Sequence, residues 1–170
     1  MRNVYIPEKE LAEIVKRLEG VDRVITLLLL GTGFRLDDIM HLRVWQLRAP
    51  ELTIRERKTG NVRSVTIPAG VSEVCKAYAA RRMALCYAFP ALRRYGARKM
   101  HRTTYWRHFM EVVRRLGWED KGYSPHSLRK VYAVNALSRS GSLRAVQKDL
   151  GHASMGVTAL YALSDRYGDL

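Results

Sequence analysis

The apolar and polar positions of this chain change period several times, and each change marks an element. From Glu8 to Leu18 the apolar residues Leu11, Ile14, Val15 and Leu18 recur at helical spacing and Gly20 ends the run, which predicts an amphipathic helix. A denser apolar run from Val21 to Leu30 predicts a mostly buried second helix. After the Gly31-Thr32-Gly33 break a third is expected from Arg35 to Leu42, so that Arg35 stands at a helix start. In Leu52 to Glu56 and Val62 to Ile67 the period falls to two around Lys58-Thr59-Gly60-Asn61, the pattern of a β-hairpin with a basic, movable tip. Helical spacing returns over Val71 to Ala88, Arg102 to Leu116, Pro125 to Ser140, Leu143 to Leu150 and Ser154 to Ser164, with an irregular basic connector from Phe89 to Met100. No repeat, low-complexity tract or Gly/Ser linker divides the 170 residues. The expectation is one domain over 1–170, mainly α with a small antiparallel β-sheet formed by the hairpin.

Charge narrows the partner. The 30 Lys plus Arg residues against 16 Asp plus Glu leave a formal charge of +14, and a surface that basic needs a polyanion. At 47% hydrophobic and 27% charged residues, the composition belongs to a folded domain rather than a disordered basic tail. The longest apolar run, Val24 to Leu30, carries Thr26 and stops at Gly31, far short of the ~20 residues of a membrane-spanning helix. The first ten residues contain no apolar stretch of the signal-peptide kind, so a cytoplasmic protein without membrane contact is expected. Cys75 and Cys86, 11 apart on what reads as one helix, suit neither a metal pair nor a local disulfide and are expected as reduced core residues.

Candidate chemistry concentrates near the C-terminus. In Ser124-Pro125-His126-Ser127-Leu128-Arg129, Ser124 is a natural N-cap, Pro125 fits the first helical position, and His126 and Arg129 share one face at a helix end that favours anions. Alone, this pair suits an ordinary solvated or capping pair as well. Twenty-three residues beyond Arg129 stands His152, within Leu150-Gly151-His152-Ala153-Ser154, and nine residues beyond His152 stands Tyr161. Together these motifs resemble the tyrosine recombinase family, also called phage integrases. Gly31-Thr32-Gly33-Phe34-Arg35-Leu36-Asp37-Asp38 is similar to that family's first arginine motif, with Asp38 where the family commonly has Glu. Lys58, in Arg57-Lys58-Thr59-Gly60, matches its mobile hairpin lysine, and the resemblance runs in the family's order from about Tyr5 to Tyr161.

The resemblance implies the family's catalytic-domain fold and a site-specific DNA recombinase of the integrase or invertase type. In that chemistry Tyr161 joins a DNA 3' phosphate and frees a 5' hydroxyl, with Arg35, Lys58, His126, Arg129 and His152 around the phosphate. It also implies double-stranded DNA as partner, a tetramer on paired DNA sites and a location at the nucleoid. The family's N-terminal core-binding domain has no counterpart in these 170 residues, which suits either a natural minimal enzyme or a fragment. Two alternatives stay open: a catalytically idle DNA-binding regulator of the same fold, and a type IB topoisomerase-like activity.

The residue types suit the chemistry on their own terms. Planar guanidinium groups such as Arg35 and Arg129 neutralise two non-bridging phosphate oxygens at fixed charge. A tyrosine with an ordinary pKa near ~10 needs neighbouring cations or a base, which His126, His152 and the arginines can supply. A lysine on a hairpin tip can protonate the leaving 5' oxygen, which makes Lys58 the candidate acid. A phosphotyrosine ester conserves the energy of the broken bond, so no cofactor and no metal is expected, and the chain offers no P-loop, no Cys-x-x-Cys and no acidic cluster of the two-metal nuclease type.

The plainer readings are a half-buried helix residue for Tyr161, a cap after Gly151 for His152 and an exposed hairpin residue for Lys58; Tyr167 falls six residues too late to replace Tyr161. Asp38 is expected to hold a backbone amide or an arginine. Arg81-Arg82, Arg93-Arg94, Arg98-Lys99 and His101-Arg102 are expected to face DNA phosphates, while His41, His101 and His108 are read as surface or structural. If this basic face binds DNA, a plot of log affinity against log salt falls with a slope of about 0.9 per phosphate neutralised, and salt-insensitive binding contradicts the reading.

Overall fold

Among the described residues the elements run α1 (Glu8–Arg17), α2 (Gly20–Thr32), α3 (Leu36–Ile39), β1 (Glu51–Arg55), β2 (Val62–Thr66), α4 (Ala69–Ala79), α5 (Arg102–Arg115), α6 (Pro125–Ser140) and α7 (Leu143–Leu150). This computed structural model describes residues 4–91, 97–151, 154–156 and 158–159. The architecture is mainly helical with one two-stranded antiparallel sheet. No helix among the described residues is long and apolar enough to cross a membrane.

The core is organised around α2, whose Val24, Ile25, Leu28 and Leu29 are buried and which packs against α6, α4, α1 and α5. Each such side chain contributes about 1.5–3 kcal/mol when withdrawn from water. Tyr105 of α5 is fully buried, and its hydroxyl lies 2.7 Å from that of Thr26 on α2, which gives the phenol a partner where water is excluded. A smaller cluster, Tyr132, Ala133, Ala136, Val146 and Leu150, joins α6 to α7. In the hairpin, β1 pairs with β2 in the register Glu51 to Thr66 and Arg55 to Val62, and its side chains alternate between water and the core.

Two predicted helices are cut short. The helix expected from Val71 to Ala88 ends at Ala79, because Arg48 donates to the carbonyls of Ala79 and Arg82 and the chain then pairs with an earlier segment. There Val44 N donates to Cys86 O, Trp45 N to Ala84 O, and Ala88 N to Leu42 O. The same pairing ends the Arg35 to Leu42 helix at Ile39, and a 3-10 turn follows from Val44 to Arg48. The two cysteines therefore do not share a helix: Cys75 is buried, with its thiol pushed up to about 11 by burial, and Cys86 is half-buried outside α4. The helix predicted from Ser154 to Ser164 lies largely outside the described residues.

Gly33 closes α2 in the left-handed conformation at φ 61°, and a Cβ there would stand 2.3 Å from the Tyr132 ring. Gly33→Ala is therefore expected to cost about 1 kcal/mol for the left-handed backbone and a further ~1–3 kcal/mol for overpacking. Urea unfolding checks this, and a loss under about 1 kcal/mol contradicts the close approach of α2 and α6.

Candidate active site

The turn at Gly33 delivers Arg35 to the N-cap of α3 in an extended conformation, with φ −74° and ψ 148°. Its Nη1 donates to Glu56 Oε2 at 2.6 Å, just beyond β1. Glu56 is wholly buried, because the strand alternation that buries Leu52 and Ile54 continues one step past β1. Its carboxylate also accepts from Thr59 Oγ1 at 2.8 Å and lies 3.7 Å from Arg63 Nη1. Burial pushes the Glu56 carboxyl up, but the bonds from Thr59 and Arg35 and the charges of Arg35 and Arg63 outweigh it and hold the group below its ordinary value. Arg63 stacks 3.9 Å over the Phe34 ring and donates to Thr32 O at 2.6 Å, so it ties β2 to the turn that carries Arg35.

The hairpin tip is tied to the Arg35 motif by several contacts. Arg57 N donates to Asp38 Oδ1 at 2.9 Å, the Arg57 side chain pairs with Asp37 at 3.2 Å, and Gly60 N returns to Glu56 O. Asp38 thus holds a backbone amide, as its position in the motif suggests. Burial pushes its carboxyl above the ordinary value, against the lowering effect of the Arg57 amide. Lys58, between these anchors, is exposed.

α6 supplies the opposite wall. Ser124 is its N-cap and Pro125 its first residue, with Ser127 Oγ accepting from Ser124 N, so His126 is exposed in the first turn while Arg129 is buried one turn on. Arg129 donates through Nη1 to Gly33 O and through Nη2 to Leu150 O, which clamps the Arg35 turn to the end of α7. Gly151 follows in the left-handed conformation at φ 60°, and a Cβ there would lie 3.1 Å from Glu56 Oε2. The chain leads from this point into His152.

Arg35, Lys58, His126 and Arg129 line one open cleft of about 920 Å³, together with Arg102, Trp106 and Arg57. Four of the six site residues expected from sequence are thus brought together; His152 and Tyr161 lie outside the described residues. Arg102, expected on a phosphate-facing surface, belongs to the cleft, whereas Arg93 and Arg94 fall among residues not described. Sequence reasoning missed Glu56 and Arg63. Their signal was two opposite charges in phase with the buried positions of paired strands. The His126 imidazole is held below its ordinary value by partial desolvation, and then by the positive charges of Arg129, Arg102, Arg35 and Lys58. A cleft with this field stabilises an anion carrying two charged oxygens and gives a lysine access to it.

The sequence pattern of the Phage integrase family matches residues 5–166. The chain belongs to that family. Within the family it is 34% identical over 156 residues to the tyrosine recombinase XerA of Pyrococcus furiosus, covering 90% of this chain and 54% of that protein. It is 26% identical over 153 residues to the tyrosine recombinase XerD of Yersinia pestis, covering 85% of this chain and 50% of that one. The chain thus spans about half the length of the curated relatives it matches. A crystal structure of XerA recombinase superposes with a TM-score of 0.79 at 24% identity, over 98% of this chain and 64% of that one. The XerH recombinase bound to its difH substrate gives 0.75 at 18% identity, over 98% and 52%. The fold is that of tyrosine recombinase catalytic domains.

The field in this integrase cleft has a readable consequence. In an NMR titration His126 is expected to protonate below its ordinary value of 6.5, and to move upward when DNA phosphate enters and offsets the four cations. A midpoint at or above 6.5 in the free protein contradicts the arrangement of cations around it.

Proposed function

We propose that this chain is the catalytic domain of a site-specific DNA recombinase that cleaves and rejoins double-stranded DNA through a 3'-phosphotyrosine intermediate. The observation that carries the reading is that Arg35, Lys58, His126 and Arg129, from three separate stretches of chain, converge on one basic cleft. Family membership and the spacing of His152 and Tyr161 support it.

The steps follow from the groups. Arg35 and Arg129 neutralise the non-bridging oxygens of the scissile phosphate, which withdraws electron density from phosphorus and stabilises the charge that builds in the transition state. Tyr161 Oη attacks phosphorus as its proton passes to a base, for which the neutral His126 imidazole and His152 are the candidates. The bond from phosphorus to the 5' oxygen breaks, and that oxygen takes a proton from Lys58. Attack by another strand's 5' hydroxyl on the phosphotyrosine reverses each transfer, so the phosphoester count is conserved without an external energy source. Exchange between two duplexes requires several such domains on paired sites, and a tetramer on DNA is the assembly proposed.

The test uses nicked suicide duplexes drawn from the chain's own genomic neighbourhood, in EDTA, where loss of the short fragment bearing the freed 5' hydroxyl traps the covalent state. A protein–DNA adduct is expected whose linked peptide contains Tyr161. Tyr161→Phe is expected to abolish trapping while DNA affinity changes by less than about threefold, because only the nucleophilic oxygen is removed. DNA binding without any adduct favours an idle regulator, supercoil relaxation without strand exchange favours the topoisomerase-like alternative, and an adduct on another residue moves the nucleophile.

A further inference from the structure

Glu56 is a carboxylate with no exposure inside a domain of charge +14, two residues before the lysine that reaches the cleft. A buried carboxylate is costly unless it is paired and hydrogen-bonded, and Glu56 is both. It takes Arg35 at 2.6 Å and Thr59 at 2.8 Å, faces Arg63 at 3.7 Å, and packs under Gly151, where even a methyl group would crowd it. It therefore touches three of the segments around the cleft, the Arg35 turn, the Lys58 hairpin tip and the start of the Gly151-His152 stretch, while α6 forms the opposite wall.

We infer that Glu56 is a positioning residue for Arg35: its buried carboxylate orients the guanidinium toward the cleft and couples it to the hairpin that carries Lys58. The inference rests on the recombinase reading. An arginine side chain carries about 2 kcal/mol of rotamer entropy, and at the cleft edge Arg35 would otherwise sample many orientations. With one end held by Glu56, little of that freedom is left to lose when phosphate binds. Because Thr59 is held by the same carboxylate, a shift of the hairpin tip also shifts the partner of Arg35. The tie needs the geometry of a buried carboxylate as well as its negative charge; charge alone, so close to a phosphate, would weaken DNA binding.

Glu56→Gln keeps the shape and one acceptor oxygen but loses the charge that holds Arg35. Its affinity for the suicide duplex is expected to equal or exceed that of the unmodified chain, since a negative charge beside the cleft is gone, while the single-turnover cleavage rate falls about 10- to 10²-fold from misorientation. Glu56→Asp keeps the charge that Arg63 needs and draws the carboxylate one methylene back from Arg35. It is expected to fold even where Glu56→Gln does not, and to bind normally but cleave more slowly. A folded Glu56 variant that cleaves at or above the unmodified rate overturns the inference, and so does a loss of rate fully explained by weaker DNA binding.

A second arm needs no cleavage. In the free protein the Arg35 guanidinium resonance, assigned by its disappearance in Arg35→Lys, is expected to show slow rotation about its Nε–Cζ bond, and to lose it in Glu56→Gln or Glu56→Asp. Unchanged rotation overturns the inference. If no DNA is ever cleaved, the recombinase reading falls, yet this arm still decides whether Glu56 orients Arg35.

Discussion

Mutual repulsion among the cations is the constraint on which this structure turns. Arg35, Lys58, Arg102 and Arg129 face one cleft beside His126, and in the absence of an anion their like charges oppose one another. The chain meets this with partners for the cations, Glu56 behind the cleft and Asp37 on its wall. Glu56 pairs with Arg35, Asp37 with Arg57, and the carbonyls of Gly33 and Leu150 accept from Arg129. Desolvation, and then the charges of Arg129, Arg102, Arg35 and Lys58, hold the His126 imidazole below its ordinary value, which is the sign expected of a positive field left for a ligand.

The same partners make the cleft a junction of the fold. Arg129 reaches from α6 to both the Arg35 turn and the end of α7, and Arg63 reaches from β2 to Thr32 while stacking on Phe34. Gly33 permits this convergence because its missing side chain lets the turn pass against Tyr132. The hairpin serves the core and the cleft at once: Leu52 and Ile54 bury their side chains, Glu56 continues the buried phase with a charge, and Lys58 stands exposed at the tip.

Much of this arrangement could be read from the residues in order. The α6 start at Ser124-Pro125, the α7 span and the hairpin follow from caps and periodicity, and Arg35, Lys58, His126 and Arg129 do meet. The end of α4 was not legible, because backbone pairing between the segment around Cys86 and that around Val44 is a long-range choice that local spacing does not encode. Glu56 and Arg63 escaped for a related reason: in a chain this charged, a carboxylate after a strand reads as solvated until the strand phase is extended by one step. The fastening of the hairpin tip by Asp37 and Asp38 likewise depends on two motifs 19 residues apart meeting in space.

Neutralisation of one phosphodiester's charge by the cleft is tested most directly with a substrate that lacks that charge. The measurement is single-turnover cleavage, by the unmodified chain and by folded Arg35→Ala, of a suicide duplex whose scissile phosphate is either the ordinary diester or a methylphosphonate. On the diester Arg35→Ala is expected to be slower by about 10²- to 10³-fold, the usual scale for losing one preorganised donor. On the methylphosphonate, where a neutral methyl replaces one charged oxygen, most of that difference is expected to vanish. An equal defect on both substrates would contradict charge neutralisation by Arg35.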